Sequence, residues 1–151
     1  MQARQGGPRP VNTLTQMTPQ TYRVLVADDD ADMRTLMATV LRTPTYEVVL
    51  CSDAESALVR ANDKKPYDVI ISDFMLPGMS GLELIQRLRA NRMTAKVPIL
   101  MISAHTNYGM EDRAKAAGAN HFLNKPFTLS QLRSALTGLL AAKSESALTA
   151  Q

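Results

Sequence analysis

The chain has 151 residues, 45% of them hydrophobic, which suffices for one domain with a buried core and is too short for two domains of ordinary size. The formal charge is +3, but the two predicted loose ends carry three of the 17 basic and one of the 14 acidic residues, so the remainder is nearly neutral and no basic stripe for nucleic acid is expected. The single cysteine excludes an internal disulfide, and no apolar run approaches the length of a membrane span, so we expect a cytoplasmic protein.

Both ends of the chain are predicted to be flexible. Residues 1–21 contain three prolines and two adjacent glycines and show no apolar period, so we read them as a leader that cannot bury enough surface to fold. Residues 143–151 look similar and are predicted to form a tail. The folded domain is therefore expected to span residues 22–142.

Five short apolar runs with many β-branched residues predict strands, at residues 23–27, 47–51, 69–72, 97–102 and 120–123. A helical pattern follows each run. The first helix has an apolar stripe at helical spacing from Met33 to Leu41, and Asp30 is its predicted N-cap. Ser52 and Glu55 are spaced as a capping box for the second helix.

The remaining three helices are predicted from turn and cap residues. The third follows Pro77 and Gly78, and a weaker fourth helix over about residues 110–117 ends at Gly118, a plausible left-handed cap. Thr128 and Gln131 form a second capping box, which opens the fifth helix.

The alternation of strands and helices predicts the fold class. Parallel strands need crossover connections, and helical crossovers cover both faces of the sheet. We therefore expect an α/β fold, a doubly wound parallel sheet of five strands with five helices, in three layers. In such folds the functional site lies outside the carboxyl ends of the strands.

Polar residues follow four of the five predicted strands. Asp28 and Asp29 come after the first strand, Asp73 after the third, Ser103 after the fourth and Lys125 after the fifth. Carboxylate oxygens suit a hard divalent cation such as Mg²⁺, a carboxylate can act as a nucleophile, and an ammonium and a hydroxyl can bind phosphoryl oxygens. An acidic run alone is typical of a solvated turn, so the joint pattern carries the prediction.

The segments VLVADDD, IISDFMLPGMSGLEL, MISA and NKPF, in this order and spacing, resemble the receiver domain of two-component response regulators. The resemblance covers residues 22–142. It implies a flavodoxin-like sandwich with strand order 2-1-3-4-5, and a signalling protein that catalyses only its own phosphorylation and dephosphorylation.

The resemblance implies a role for each polar residue. Asp73 would accept a phosphoryl group from a phosphohistidine of a sensor histidine kinase or a phosphotransfer protein. Lys125 would pair with one phosphoryl oxygen, and Ser103 would hydrogen-bond another. The metal would be Mg²⁺ or Mn²⁺, bound by Asp29, Asp73 and the backbone carbonyl of Met75, with Asp28 acting directly or through a water.

A conformational switch is also implied. Ser103 would move toward the phosphoryl group and the aromatic ring of Phe122 would turn inward behind it. The face formed by the fourth helix, fifth strand and fifth helix would then bind a downstream protein, with no direct contact to nucleic acid or membrane, and phosphorylation-dependent dimerisation through it stays open. Met75, Ala104 and His105 flank the site and would influence the access of water.

Three other functions compete with this interpretation. A phosphohydrolase of the haloacid dehalogenase type would use Asp28 as the nucleophile, but it needs a further acidic pair after Lys125, where only Glu145 occurs, and it would leave Asp73 without a role. A second alternative is a receiver-like binding module that never transfers phosphate, but every chemical group expected for the transfer is present in the sequence. The amino-terminal part of a transcription factor would need a DNA-binding domain, which the 26 residues after Lys125 cannot hold, so we expect a single-domain response regulator.

Overall fold

A computed structural model describes residues 20–104 and 107–149 of the chain. It contains five strands and five helices in strict alternation, as predicted. The strands are β1 (Tyr22–Ala27), β2 (Tyr46–Cys51), β3 (Val69–Asp73), β4 (Ile99–Ser103) and β5 (His121–Asn124). The helices are α1 (Ala31–Val40), α2 (Ala54–Arg60), α3 (Gly81–Ala90), α4 (Met110–Ala117) and α5 (Leu129–Thr149).

The five strands form one parallel sheet in the order β2-β1-β3-β4-β5, which confirms the predicted fold class and strand order. Ala27, the last residue of β1, lies beside Cys51 of β2 and Ser72 of β3. The chain winds outward in one direction from β1 to β2 and in the other from β3 to β5. The carboxyl ends of β1 and β3 therefore meet where the winding reverses, which is the expected place for a site.

The core lies on both faces of the sheet because successive strand residues point to opposite faces. Leu25 and Ala27 pack in a cluster with α2, α3 and α4, whereas Val24 and Val26 pack in a second cluster with α1 and α5. Strands β3 and β4 are buried along their whole length. Within the described residues, no helix is both long enough and apolar enough to cross a bilayer.

Two of the three predicted N-terminal helix caps are confirmed. The Asp30 side chain accepts a hydrogen bond from the N–H of Asp32 at the start of α1. At the start of α5, Gln131 N–H donates to Thr128 Oγ1 at 3.0 Å, and Thr128 N–H donates to Gln131 Oε1 at 2.8 Å. These reciprocal bonds are the predicted capping box.

The capping box predicted for α2 is wrong. The N-cap is Asp53 rather than Ser52, and Asp53 Oδ1 accepts a hydrogen bond from Ser56 N–H at 2.7 Å. Helix α2 begins at Ala54, so Asp53 is the residue whose extended backbone directs its side chain at the free N–H groups of the first turn.

Helix α5 continues to Thr149, whereas the sequence predicted irregular structure from Lys143 onward. Lys143 Nζ forms an ion pair with Asp68 Oδ1 at 2.6 Å, which ties this part of the helix to the beginning of β3. No glycine or proline occurs between Leu139 and Thr149, so nothing in the local sequence ends the helix earlier. The predicted leader, apart from its last two residues, lies outside the described residues, and the domain boundaries stay a prediction.

Candidate functional site

Three carboxylates meet at the carboxyl ends of β1 and β3. Asp28 and Asp29 directly follow β1, and Asp73 is the last residue of β3. One carboxylate oxygen from each of the three lies within 4.8 Å of the others. Asp28 and Asp73 are buried, with exposed fractions of 3% and 7%, whereas Asp29 is exposed. The structure thus joins residues that lie 44 positions apart in the sequence.

Lys125, one residue after β5, reaches the same cluster. Its Nζ lies 3.1 Å from Asp73 Oδ2 and 3.4 Å from Asp28 Oδ2. The Lys125 N–H donates to the carbonyl of Ser103 at 2.8 Å, which fixes the end of β5 against the end of β4. Lys125 is therefore held by its backbone as well as by its charge.

Buried Asp28 and partly buried Lys125 have shifted pKa values. Burial raises the pKa of Asp28, and the nearby charge of Asp73 adds to this effect, while the Asp30 N–H and Lys125 oppose it only in part. Burial alone would lower the pKa of Lys125, but its hydrogen bond to Asp73 and the charges of Asp73 and Asp28 outweigh burial and raise the pKa. Lys125 thus remains an ammonium at neutral pH.

Of the residues predicted to flank the site, Met75 contacts Asp73 directly. Met75 N–H donates to Asp73 Oδ1 at 3.3 Å, and the Met75 side chain is about half exposed. Ser103 is fully buried at the end of β4, and Ala104 after it is exposed. The prediction for His105 falls outside the described residues.

Phe122, the predicted aromatic switch, is buried in β5 beside Met101 of β4. Next to it, a cavity of about 290 Å³ separates β5 from the start of α4 and is lined by Tyr108 and Asn124 among others. Tyr108 is fully exposed. The ring of Phe122 thus lies between the sheet and open space beside α4.

A divalent cation fits the charges and donors of this site. The three carboxylates and the ammonium of Lys125 leave an excess of two negative charges within a few ångströms. All three acidic side chains offer oxygen, the donor that Mg²⁺ and Mn²⁺ prefer. A bound dication would therefore neutralise the cluster, and Asp28, Asp29 and Asp73 are the side chains that could hold it.

Two residues without an assigned role also shape the site. A Cβ on Gly81 would lie 2.2 Å from the carbonyl oxygen of Asp73, so only glycine allows α3 to begin this close to the end of β3. Arg34 of α1 donates a hydrogen bond from Nη1 to the carbonyl of Asp28 at 2.8 Å. The sequence contains one signal that could have indicated Arg34, since it lies in the first turn of the helix that follows the acidic run.

Comparison with known proteins identifies the family. Residues 24–137 match the family described as the response regulator receiver domain. The chain belongs to this family. Receiver domains are signalling proteins of two-component systems, and the alternative of a haloacid-dehalogenase-type phosphohydrolase has no support from the comparisons.

Receiver domains of known proteins match most of the chain. The phosphate regulon transcriptional regulatory protein PhoB of Pseudomonas aeruginosa is 33% identical over 78% of this chain, and the chain spans only 51% of that relative. The probable chemotaxis protein CheY of Rhizobium etli is 29% identical over 82% of this chain and 95% of its own length. The chain thus spans about half the length of the PhoB proteins it matches.

Solved structures agree with the fold. The chemotaxis response regulator CheY4 of Vibrio cholerae is 34% identical and aligns over 80% of this chain and its whole own length, with a TM-score of 0.74. The receiver domain of sensor histidine kinase PA1611 from Pseudomonas aeruginosa is 28% identical over 80% of this chain and 98% of its own, with a TM-score of 0.73. That structure has a magnesium ion coordinated in its active site cleft.

Proposed function

We propose that this receiver domain accepts a phosphoryl group on Asp73 in a Mg²⁺-dependent reaction. The donor would be a phosphohistidine of a sensor histidine kinase or phosphotransfer protein in the cytoplasm. The observation that carries the proposal is the contact of one buried carboxylate, Asp73, with an ammonium at 3.1 Å and with two further carboxylates able to hold a cation.

Each side chain has a distinct task in the transfer. A carboxylate oxygen of Asp73 forms a bond to phosphorus while the bond from phosphorus to the donor's imidazole nitrogen breaks, and the electron pair of that bond stays on the imidazole. Lys125 keeps its proton and pairs with a phosphoryl oxygen, which offsets the negative charge brought next to Asp73 and Asp28. Ser103, at the end of the neighbouring strand, would donate to another phosphoryl oxygen.

The metal would be held by Asp28, Asp29 and Asp73, with the backbone carbonyl of Met75 as a further oxygen donor. When bound, the cation would neutralise charge on the phosphoryl oxygens and hold them near the nucleophile. The magnesium in the receiver domain of PA1611 supports this assignment. Asp28 itself is held in place by two hydrogen bonds. Its Oδ1 accepts from Asp30 N–H at 2.9 Å, and its backbone N–H donates to the carbonyl of Cys51 at 3.0 Å.

Phosphorylation would act on the surface formed by α4, β5 and α5. Ser103 and Phe122 would connect the site to this surface. Ser103 ends β4, whereas Phe122 lies in the neighbouring strand β5 and borders the cavity beside α4. A downstream protein would read the resulting change. Single-domain organisation and dimerisation through α4 and α5 stay predictions.

Incubation with acetyl phosphate and Mg²⁺, followed by intact-protein mass spectrometry, tests the proposal. The native protein should gain one phosphoryl mass, and Asp73→Asn should gain none. Asp53→Asn, which alters a carboxylate that caps α2, is the matched control and should be phosphorylated like the native protein. Absence of a mass gain in the native protein, or a gain that persists in Asp73→Asn, would refute the assignment.

A further inference from the structure

Arg34 lies near four aspartates, yet it donates a hydrogen bond to a backbone carbonyl. Its guanidinium donates to the backbone carbonyl of Asp28 at 2.8 Å, and within the described part of the chain no carboxylate forms an ion pair with it. Helical side chains lean toward the amino terminus of their helix, and Arg34 is the fourth residue of α1, so the end of β1 is in its reach. The half-buried guanidinium thus binds a backbone oxygen and not a carboxylate.

The bond matters because of the peptide unit it holds. The carbonyl of Asp28 belongs to the peptide plane that also contains the N–H of Asp29, so a donor fixed on this oxygen fixes the rotation of the whole plane. The orientation of that plane determines the direction in which the Cα–Cβ bond of Asp29 points. Arg34 therefore acts on Asp29 through one rigid unit.

Asp29 has no other restraint of its own in the described residues. Asp28 is held by the carbonyl of Cys51, by Asp30 N–H and by Lys125, whereas neither the backbone nor the carboxylate of Asp29 takes part in a recorded hydrogen bond or ion pair. Asp29 is also exposed, so packing does not confine it. Its position depends on the peptide after it, whose Asp30 N–H donates to Asp28 Oδ1, and on the peptide before it, whose carbonyl accepts from Arg34.

We propose that Arg34 is a positioning residue for the Mg²⁺ site: it locks the peptide between Asp28 and Asp29 and so aims Asp29 at Asp28 and Asp73. This inference rests on the proposed function, because it assumes that the three carboxylates bind Mg²⁺. Partners that orient metal ligands typically change metal affinity about 10-fold to 100-fold when removed.

The sign of the effect separates positioning from simple electrostatics. If Arg34 acted only as a nearby positive charge, Arg34→Gln would remove a repulsion and bind Mg²⁺ more tightly. If Arg34 orients Asp29, the same substitution frees the peptide and Mg²⁺ binds more weakly. The two explanations thus predict changes in opposite directions.

Calorimetric titration of the metal-free proteins with MgCl₂ measures the Mg²⁺ affinity and so shows the direction of the change. Arg34→Gln should bind Mg²⁺ roughly tenfold more weakly than the native protein. Arg34→Lys keeps the charge but not the planar fork and should fall between the two. Arg42→Gln removes one exposed positive charge just beyond α1, at the end of the helix away from the site, and is the matched control with unchanged affinity. Unchanged or tighter binding by Arg34→Gln would overturn the inference.

A second measurement needs no metal. Backbone ¹⁵N relaxation in the presence of EDTA should show increased mobility of the Asp29 amide in Arg34→Gln and Arg34→Lys, and no change in Arg42→Gln. Equal Asp29 mobility in all four proteins would overturn the positioning role even if affinity changed. If the native protein itself bound no Mg²⁺, the proposed function would fail, while the amide measurement would still decide whether Arg34 holds the peptide.

Discussion

Asp28 combines burial with a negative charge, and this combination costs stability when no metal is bound. Its pKa is raised in the folded protein, mainly by burial. The unfolded chain therefore loses this proton first as the pH rises, and the stabilising contribution of protonated Asp28, complete below about pH 4, is lost as the pH passes its folded pKa. The buried carboxylate is therefore unfavourable in the metal-free site once it is ionised.

We predict that Asp28→Asn increases the free energy of unfolding of the metal-free protein at pH 7 by on the order of 1 kcal/mol. Asparagine keeps an oxygen that can accept from Asp30 N–H, and Lys125 keeps Asp73 as a partner. Urea unfolding in EDTA measures the effect. The difference between the two proteins should shrink as the pH is lowered toward 4, and a constant difference would contradict the explanation.

A second group of polar residues, two of them buried, lies at the opposite end of the strands, near the amino terminus of β1. Arg23 at the start of β1 is buried, its guanidinium carbon lies 4.2 Å from the ring centre of Tyr67, and its Nη2 lies 3.1 Å from Asp63. Tyr67 also donates to Asp63 Oδ2 at 2.7 Å. Burial, followed by the hydrogen bond to Asp63, raises the pKa of Tyr67 to about 12.

Tyr67 should make the protein sensitive to alkaline pH. Because its pKa rises from 10 to about 12 on folding, its stabilising contribution is complete below pH 10 and is lost as the pH rises toward 12. Tyr67→Phe keeps the ring against Arg23 but lacks the ionising group. Urea unfolding between pH 8 and 11 should show the native protein losing its advantage over Tyr67→Phe, and parallel stability curves would be inconsistent with this prediction.

At the scale of elements, one arginine joins α3 to the loop that precedes β4 and to the loop that precedes β5. The half-buried guanidinium of Arg89 makes six hydrogen bonds at 2.7–3.1 Å and has no carboxylate partner in the described residues. Its acceptors are the carbonyls of Thr94, Ala95, Val97 and Gly118 and the side chain of Asn120. The carboxyl end of α4 is therefore anchored to α3.

Arg89→Met should lower the free energy of unfolding by about 3 kcal/mol, because several partly buried carbonyls lose a charged donor at once. Arg87→Met is the matched control on the same helix, since exposed Arg87 contacts only Glu83 at i, i+4 and should cost less than about 1 kcal/mol. Urea unfolding of both variants tests the pair. Equal losses would mean that the Arg89 contacts contribute no more than a surface ion pair.

Helix boundaries reveal which local signals are reliable. The capping residues Asp30 and Thr128 were predicted because a short polar side chain next to an apolar stripe is a local feature. The spacing of Ser52 and Glu55 predicts a capping box, but Asp also caps helices, and the extended backbone of Asp53 makes that residue the cap. The ion pair of Lys143 in α5 with Asp68, 75 positions away, is a contact that no local pattern contains.

At the scale of the whole molecule, metal binding should be coupled to folding, because the three carboxylates converge only in the folded chain. A free Mg²⁺ concentration of 100 times the dissociation constant should add about 2.7 kcal/mol to the free energy of unfolding. Urea unfolding with MgCl₂, compared with NaCl of equal ionic strength, measures this gain. Asp29→Ala should abolish it, and an equal gain in NaCl would indicate charge screening rather than a site.

The sequence by itself determined the alternation of strands and helices, the parallel sheet, and the convergence of Asp28, Asp73 and Lys125. Periodicity and turn chemistry are local, and in a parallel sheet the residues after each strand necessarily reach one edge. The tertiary structure alone decided the partners of the three arginines. Arg23, Arg34 and Arg89 each donate to a backbone carbonyl that no local pattern indicates, because a long cationic side chain reaches partners that only the folded chain brings near.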